Sequence, residues 1–278
     1  MSTPAAVLAA LARVPATWSM HVADADSGEV LIELAPDTVL RTASMAKVLL
    51  LAETARRIEA GTLDATEPLR RDPALAVADS GIWRHLSVDT LPLTDVARLV
   101  GLSSDNWATN VLLARVGGPD AVATCAGALG VRDATLHDRV RDERTDAHPP
   151  TLSTGSAAAY ADVFGRLHRG TFGGAAVSDR VRGWLRSGLD CSMVAAAFGL
   201  DPLSHGDGPD RGLSLVSKTG TDDGVRADAG IVAGPARTVA YACLANWVPE
   251  GDADPVRDDV LDAMRRVGAW VRAVVTAP

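Results

Sequence analysis

Residues 213–247 read LSLVSKTGTDDGVRADAGIVAGPARTVAYACLANW. Three β-like runs, Leu213–Gly220, Ala227–Ala233 and Thr238–Trp247, are separated by Asp222-Asp223-Gly224 and by Gly234-Pro235. Short apolar runs bounded by such turn residues read as successive strands. The other end of the chain carries a matching signal. Thr17–Ala25 and Glu29–Leu34 alternate around Asp26-Ser27-Gly28, a hairpin pattern. A helix over residues 3–13 precedes that hairpin. A final helix opens at Asp254-Pro255, a capping residue followed by a proline in the first turn, and runs to Val275.

Between these ends, residues 65–205 are rich in helical patterns. A long apolar helix runs from Ser44 to Ala60 and stops at Gly61. Leu93–Leu102, Trp107–Val116, Ala157–Leu167 and Asp179–Gly188 read as further helices. Residues 137–155, HDRVRDERTDAHPPTLSTG, are polar, contain proline and lack a period. They read as a long surface loop, and loops of that length tend to be functional. The expected fold is α/β (α+β): one antiparallel sheet built from both chain ends and flanked by helices (1–43 and 206–278), with an all-helical domain (44–205) inserted. A site would lie at the junction of the two.

Composition narrows the function. Hydrophobic residues make up 47% and charged ones 22% of the 278 residues, a globular balance. A formal net charge of −8 argues against nucleic acid and against an anionic membrane surface. No run of about 18 apolar residues is present to span a bilayer. The start lacks a basic segment, so a cytoplasmic protein is expected as the sequence stands, or a secreted or periplasmic one if a leader has been removed. Cys125, Cys191 and Cys243 are odd in number and widely spaced, so they read as buried thiols rather than a disulfide framework. The six histidines show no ligand spacing, and no metal or cofactor is expected.

Of the 27 basic residues only two, Lys47 and Lys218, are lysines. Arginine stays protonated, whereas a buried lysine can lose its proton and act as a base. Both lysines fall in short motifs. Ser44-Met45-Ala46-Lys47 places a hydroxyl and an amine on one helical face. The apolar Val48, Leu49 and Leu50 would desolvate that amine and lower its pKa. The bland alternative is a capping serine with a solvated lysine one turn later. Ser104-Asp105-Asn106 lies between two helical segments, where a hydroxyl and an amide could relay a proton and hold an amide, or where all three could merely cap a helix. Lys218-Thr219-Gly220 ends a strand with a cation, a hydroxyl and a residue that lets backbone approach a ligand, which suits an anionic substrate.

S-x-x-K, S-D-N and K-T-G, in this order, resemble the signature set of class A β-lactamases and penicillin-binding proteins. The resemblance extends over most of the chain. The Ser44 helix is similar to the family's nucleophile helix, Asp138-Arg139 to the opening of its Ω-loop, and Thr151–Gly155 to that loop's exit. It implies an acylated Ser44, Lys47 as its base and Ser104 as proton relay. It further implies that Asn106 contacts the substrate amide, that Lys218 and Thr219 bind the substrate carboxylate, and that Gly220 lets the strand backbone approach the substrate. The backbone N–H groups of Ser44 and Thr221 would form the oxyanion hole. The expected partner is a small molecule, a β-lactam or related amide or ester, and a monomer is expected.

Three positions depart from the family pattern. Arg141 stands where the family's deacylating glutamate is expected, and Thr145 where an asparagine follows it. Glu143, two positions late, is the candidate to activate water. Trp107 replaces a small residue and is either packing or a cleft wall. Arg226 is a candidate carboxylate ligand on the hairpin after Lys-Thr-Gly, or a solvated hairpin residue. The expected reaction is acyl-enzyme hydrolysis of a β-lactam with weak deacylation. The alternatives are a DD-peptidase-like, biosynthetic or ester hydrolase, and a binding module that stays acylated.

Overall fold

The structure, a computed structural model, describes residues 3–251 and 254–277. In its first half the chain forms α1 (Pro4–Leu11), β1 (Thr17–Asp24), β2 (Val30–Leu34), β3 (Leu40–Arg41), α2 (Lys47–Glu59), β4 (Pro68–Arg70), β5 (Thr90–Pro92), α3 (Leu93–Ser103), α4 (Asn106–Arg115) and α5 (Pro119–Ala128). Then follow β6 (Ala134–Leu136), β7 (Ser153–Gly155), α6 (Ala157–His168), α7 (Ala175–Leu185), β8 (Ser214–Asp222), β9 (Val225–Ala233), β10 (Thr238–Asn246) and α8 (Pro255–Thr276).

The main sheet has the order β2-β1-β10-β9-β8, so strands from both chain ends meet in it. The join is antiparallel between β1 and β10, with Trp18 opposite Ala245 and Val22 opposite Tyr241. The turn between β8 and β9 is tight, with Asp222 paired to Val225. Gly224 sits in it at φ +65, and an added Cβ would lie 2.3 Å from the Trp247 carbonyl, so only glycine fits.

Alternation along β9 splits the core. Ala227, Ala229 and Ile231 belong to one apolar cluster, together with α2, α3, α4, α6 and α7. Val232 and the β10 residues Val239, Tyr241 and Cys243 belong to a second, with α1 and α8. A central strand covered on both faces reads as nearly continuous apolar sequence, which is how β9 and β10 look. The helix α2 is the axis of the first cluster: every residue from Lys47 to Ala55 is buried. Helices apolar all round occur inside a protein rather than on its surface.

Several expected boundaries move. The segment at Ser44 is a 3-10 turn, Ala43–Ala46, and the α-helix starts only at Lys47. The helix expected at 179–188 is α7, starting four residues earlier after Gly174. The helix α5 was not expected, although Pro119 and Asp120 supply its first-turn signals. The 137–155 loop is irregular until β7, which pairs with β3 and β6 in a small three-stranded sheet. Residues 193–200, expected within the helical block, pack instead on the α8 side of the sheet. Asp254 does not cap α8 with its side chain; its carboxylate accepts from Trp247 Nε1 at 2.9 Å. Cys125 and Cys243 are buried, Cys191 is half-buried, and none is in a disulfide. Among the described residues no helix is long and apolar enough to cross a membrane.

Candidate active site

Ser44 is held by a braced turn. Ala43 before it adopts φ +47, a left-handed conformation that a non-glycine residue rarely takes. The surroundings over-determine that strain. Thr42 Oγ1 lies 2.7 Å from Ser153 Oγ and 3.1 Å from Tyr160 OH, and Ser153 Oγ donates to Ala43 O at 2.6 Å. From the other side β8 presses in at Gly220. An added Cβ there would lie 2.1 Å from Thr42 O and 3.1 Å from the amide nitrogens of Ser44 and Met45. The glycine of Lys-Thr-Gly thus lets the strand backbone reach the serine turn.

Behind the turn the two lysines converge. Lys47 is 0% exposed, and its Nζ donates to Ser104 O (2.7 Å), Asn106 Oδ1 (2.8 Å) and Ser104 Oγ (3.2 Å). Lys218 Nζ donates to the same Ser104 Oγ at 3.0 Å and to Thr219 O at 2.6 Å. Among the described residues no hydrogen bond joins Lys47 to the Ser44 hydroxyl. Desolvation holds the Lys47 pKa well below the usual lysine value, and the nearby Lys218 charge depresses it further against the pull of Asp105 and Asp79. Burial lowers the Lys218 pKa to about 8. Burial thus lowers both amines, and a buried lysine can act either as a base or as a cation.

Ser104 stands at φ +55, the left-handed end of α3, which swings its hydroxyl between the two amines. Asp105, 1% exposed, does more than cap a helix. One of its oxygens caps α4 at Ala108 N (2.9 Å), and the other accepts from Ile82 N (2.7 Å) and Trp83 N (2.8 Å). It moors the 78–83 segment beside Asn106, whose Nδ2 donates to Ala78 O at 3.3 Å. Its capping pattern was legible; its hold on a remote loop was not.

A cleft of about 730 Å³ gathers these groups. Ser44, Ser104, Asn106, Lys218, Thr219, Thr221 and Arg226 line it, while Lys47 and Gly220 support it from behind. The guanidinium of Arg226 sits 5.8 Å from the Trp247 ring centroid, and its Nη1 donates to Asp222 O and Val225 O. Glu143 is not brought in: it is exposed and absent from the cleft lining, whereas Arg141 lines it. The reason is local. Asp138 accepts from Arg141 Nε (2.7 Å) and Arg144 Nη1 (2.6 Å), and these two pairs fold the loop so that position 143 points outward between them. Asn110 ties the same loop down by accepting from Val140 N (2.9 Å) and donating to Val140 O (3.0 Å). Trp107 is not a cleft wall. Its ring packs on the helical core, stacks with Arg71 at 4.9 Å and donates Nε1 to Asp72 O. Among the described residues no group of three or more His, Cys, Asp or Glu could hold a metal ion.

Over residues 4–271 the sequence matches the β-lactamase enzyme family, and the chain belongs to that family. The β-lactamase of Streptomyces albus G is 31% identical over 195 residues, which are 67% of this chain and 57% of that protein. The match therefore spans little more than half of that relative's length. The structure of a β-lactamase from Sphaerobacter thermophilus DSM 20745 superposes with a TM-score of 0.80 at 25% identity, covering 97% of this chain and 96% of that one. A mutant of PBP-A, solved as an acyl-enzyme complex with penicillin G, shares the fold with a TM-score of 0.77 at 20% identity, covering 96% and 93% of the two chains.

Proposed function

We propose that the chain is a serine hydrolase that opens β-lactam amides through an acyl-enzyme on Ser44. The observation that carries this reading is the meeting of two buried lysines on one hydroxyl at the back of the cleft that exposes Ser44. A neutral Lys47 has two N–H groups, which Ser104 O and Asn106 Oδ1 satisfy, so its lone pair meets the Ser104 hydroxyl at 3.2 Å and can accept a proton. That lone pair takes the Ser44 proton as Oγ bonds to the lactam carbon. The resulting oxyanion is received by the Ser44 and Thr221 N–H groups, on the two backbone segments that Gly220 brings together. As the C–N bond breaks, Ser104 passes its proton to the departing nitrogen and is reprotonated from Lys47. Lys218, Thr219 and Arg226 bind the substrate carboxylate, and Asn106 the acyl amide.

The second step is the weak one. Hydrolysis of the ester needs a base for water, and Arg141 stands where the family carries glutamate, while Glu143 faces solvent. The acyl-enzyme is therefore expected to form quickly and to decay slowly. The same loop supports the second reading, a DD-peptidase-like or penicilloyl-holding protein, and the PBP-A mutant that shares the fold was captured as a penicillin G acyl-enzyme. Intact mass measured over time after mixing with benzylpenicillin tests both. A one-to-one adduct that is lost in Ser44→Ala is expected. No adduct on the native chain defeats the proposal; an adduct stable for hours favours the second reading.

A further inference from the structure

Lys218 poses an electrostatic problem. It is 3% exposed, and its hydrogen-bond partners, Ser104 Oγ and Thr219 O, are both neutral. Among the described residues it enters no ion pair. An unpaired buried ammonium is strongly unfavourable and tends to shed its proton. The second amine at this hydroxyl, Lys47, offers no negative charge to compensate it. A neutral Lys218 would be useless for receiving a carboxylate.

Two carboxylates stand near it. Asp190 lines the cleft on the 188–193 loop, and Asp228 lies on β9 directly opposite Thr219 in the β8–β9 register. Asp228 is fully buried and has no part in the chemistry described above. Its oxygens accept from Tyr241 OH at 3.0 Å and Ala195 N at 3.3 Å, and both donors favour the ionised form. Tyr241 and Cys243 from β10 share its face of the sheet, Asp190 and Cys191 come from the loop, and Lys218 leaves β8 on the opposite face one position away in the register, so the two charges act on each other through the strand. Burial pushes the tyrosine and both thiols up, so they stay neutral, and the only cation in this set is Lys218.

We propose that Asp228 is a positioning residue for the carboxylate subsite: lying beneath the Lys-Thr-Gly strand, it keeps the Lys218 ammonium charged, so that an anionic substrate meets a cation. The inference rests on the reading above that Lys218 receives a substrate carboxylate. The ionisation ranges are compatible. Burial raises the Asp228 pKa to about 7 and lowers that of Lys218 to about 8, while Asp190 and Asp228 oppose the latter fall. Above its own pKa Asp228 is anionic, which covers the pH range in which Lys218 would otherwise lose its proton. Removing the negative charge must therefore move the Lys218 titration to lower pH.

The presence of only two lysines makes this directly measurable. Labelling lysine with carbon-13 at Cε gives two signals, and Lys218→Arg assigns them. The Lys218 signal is expected to titrate near pH 8 in the native protein and at lower pH in Asp228→Asn. In parallel, the KM of a chromogenic cephalosporin, which carries a carboxylate, is expected to rise about threefold at pH ~8.5 with kcat little changed, equivalent to a shift of about half a pH unit. A merely structural role would lower Tm and kcat and leave the Lys218 midpoint in place. Tyr241→Phe removes a donor to Asp228 without touching the contacts of Lys218. It is expected to move the midpoint the same way by less, and it carries the test if Asp228→Asn does not fold. An unmoved midpoint overturns the proposal, whatever the turnover. A moved midpoint in a protein that no β-lactam acylates retires the hydrolase reading and leaves the coupling of Asp228 to Lys218 standing.

Discussion

The turn that carries Ser44 and the loop around Arg141 border the same cleft and are built in opposite ways. The turn is sunk in the core, braced by Thr42, Ser153 and Tyr160, and pressed by a glycine backbone from β8. The loop is mostly exposed, and a few polar side chains tether it: Asp138 with two arginines, Asn110 with Val140, and Asp142 Oδ1 with Ala78 N at 2.7 Å. Atoms fixed by packing have one arrangement, whereas a tethered loop can be redrawn by changing one or two charges. In the proposed mechanism acylation depends on the first kind of structure and deacylation on the second. On that reading the groups proposed for acylation are held in register by packing, while the loop is free to present Arg141 to the cleft.

The largest break in that contrast is expected from Gly220→Ala. The added methyl must push β8 away from the Ser44 turn, and a displacement of about 1 Å at a reacting centre can cost on the order of 100-fold. Stopped-flow acylation by a penicillin would show it; a rate within a few-fold of native would mean that the turn is less tightly braced than its contacts imply. Asn110→Ala should act on the loop instead. It strands the Val140 amide and carbonyl, at an expected cost of about 1–3 kcal/mol, read as a lower Tm and faster proteolytic cutting within residues 137–152. If acylation collapses along with loop stability, the two regions are not separable. The smallest effect is expected from Glu143→Gln, an exposed substitution worth no more than about 0.5 kcal/mol. Adduct decay should be unchanged, and a tenfold slower decay would bring Glu143 back into the chemistry.

Much of the site was legible because its residues sit in short runs whose chemistry is local. A serine three residues before a lysine lies on the same side of a helical turn, here a 3-10 turn running into α2, and the rarity of lysine marked both amines. The Ω-like loop was the opposite case. Counting along the chain put Arg141 at the glutamate position and left Glu143, two positions late, as the candidate, but the direction of its side chain is set by the pairing of Asp138 with Arg141 and Arg144. Trp107 was ambiguous for the same reason, until the position of Arg71 and Asp72 decided that its ring faces a neighbouring loop. Asp105 and Asn110 carried no warning, since a cap and a buried amide look alike from sequence whichever loop they hold.

The sequence by itself determined the strand runs at both ends, the apolar α2, the three short motifs around Ser44, Ser104 and Lys218, and the two lysines that can change charge. These follow from periodicity, turn chemistry and residue type, which act over a few neighbours. Only the tertiary structure decided that both lysines meet on Ser104, that Gly220 lies against the Ser44 turn, that Asp228 lies under Thr219 and that Glu143 points away. Those relations join residues up to 176 positions apart, as Ser44 and Gly220 are. Their distances are set by how the sheet and helices pack, and no local pattern encodes a contact between segments that share only a core.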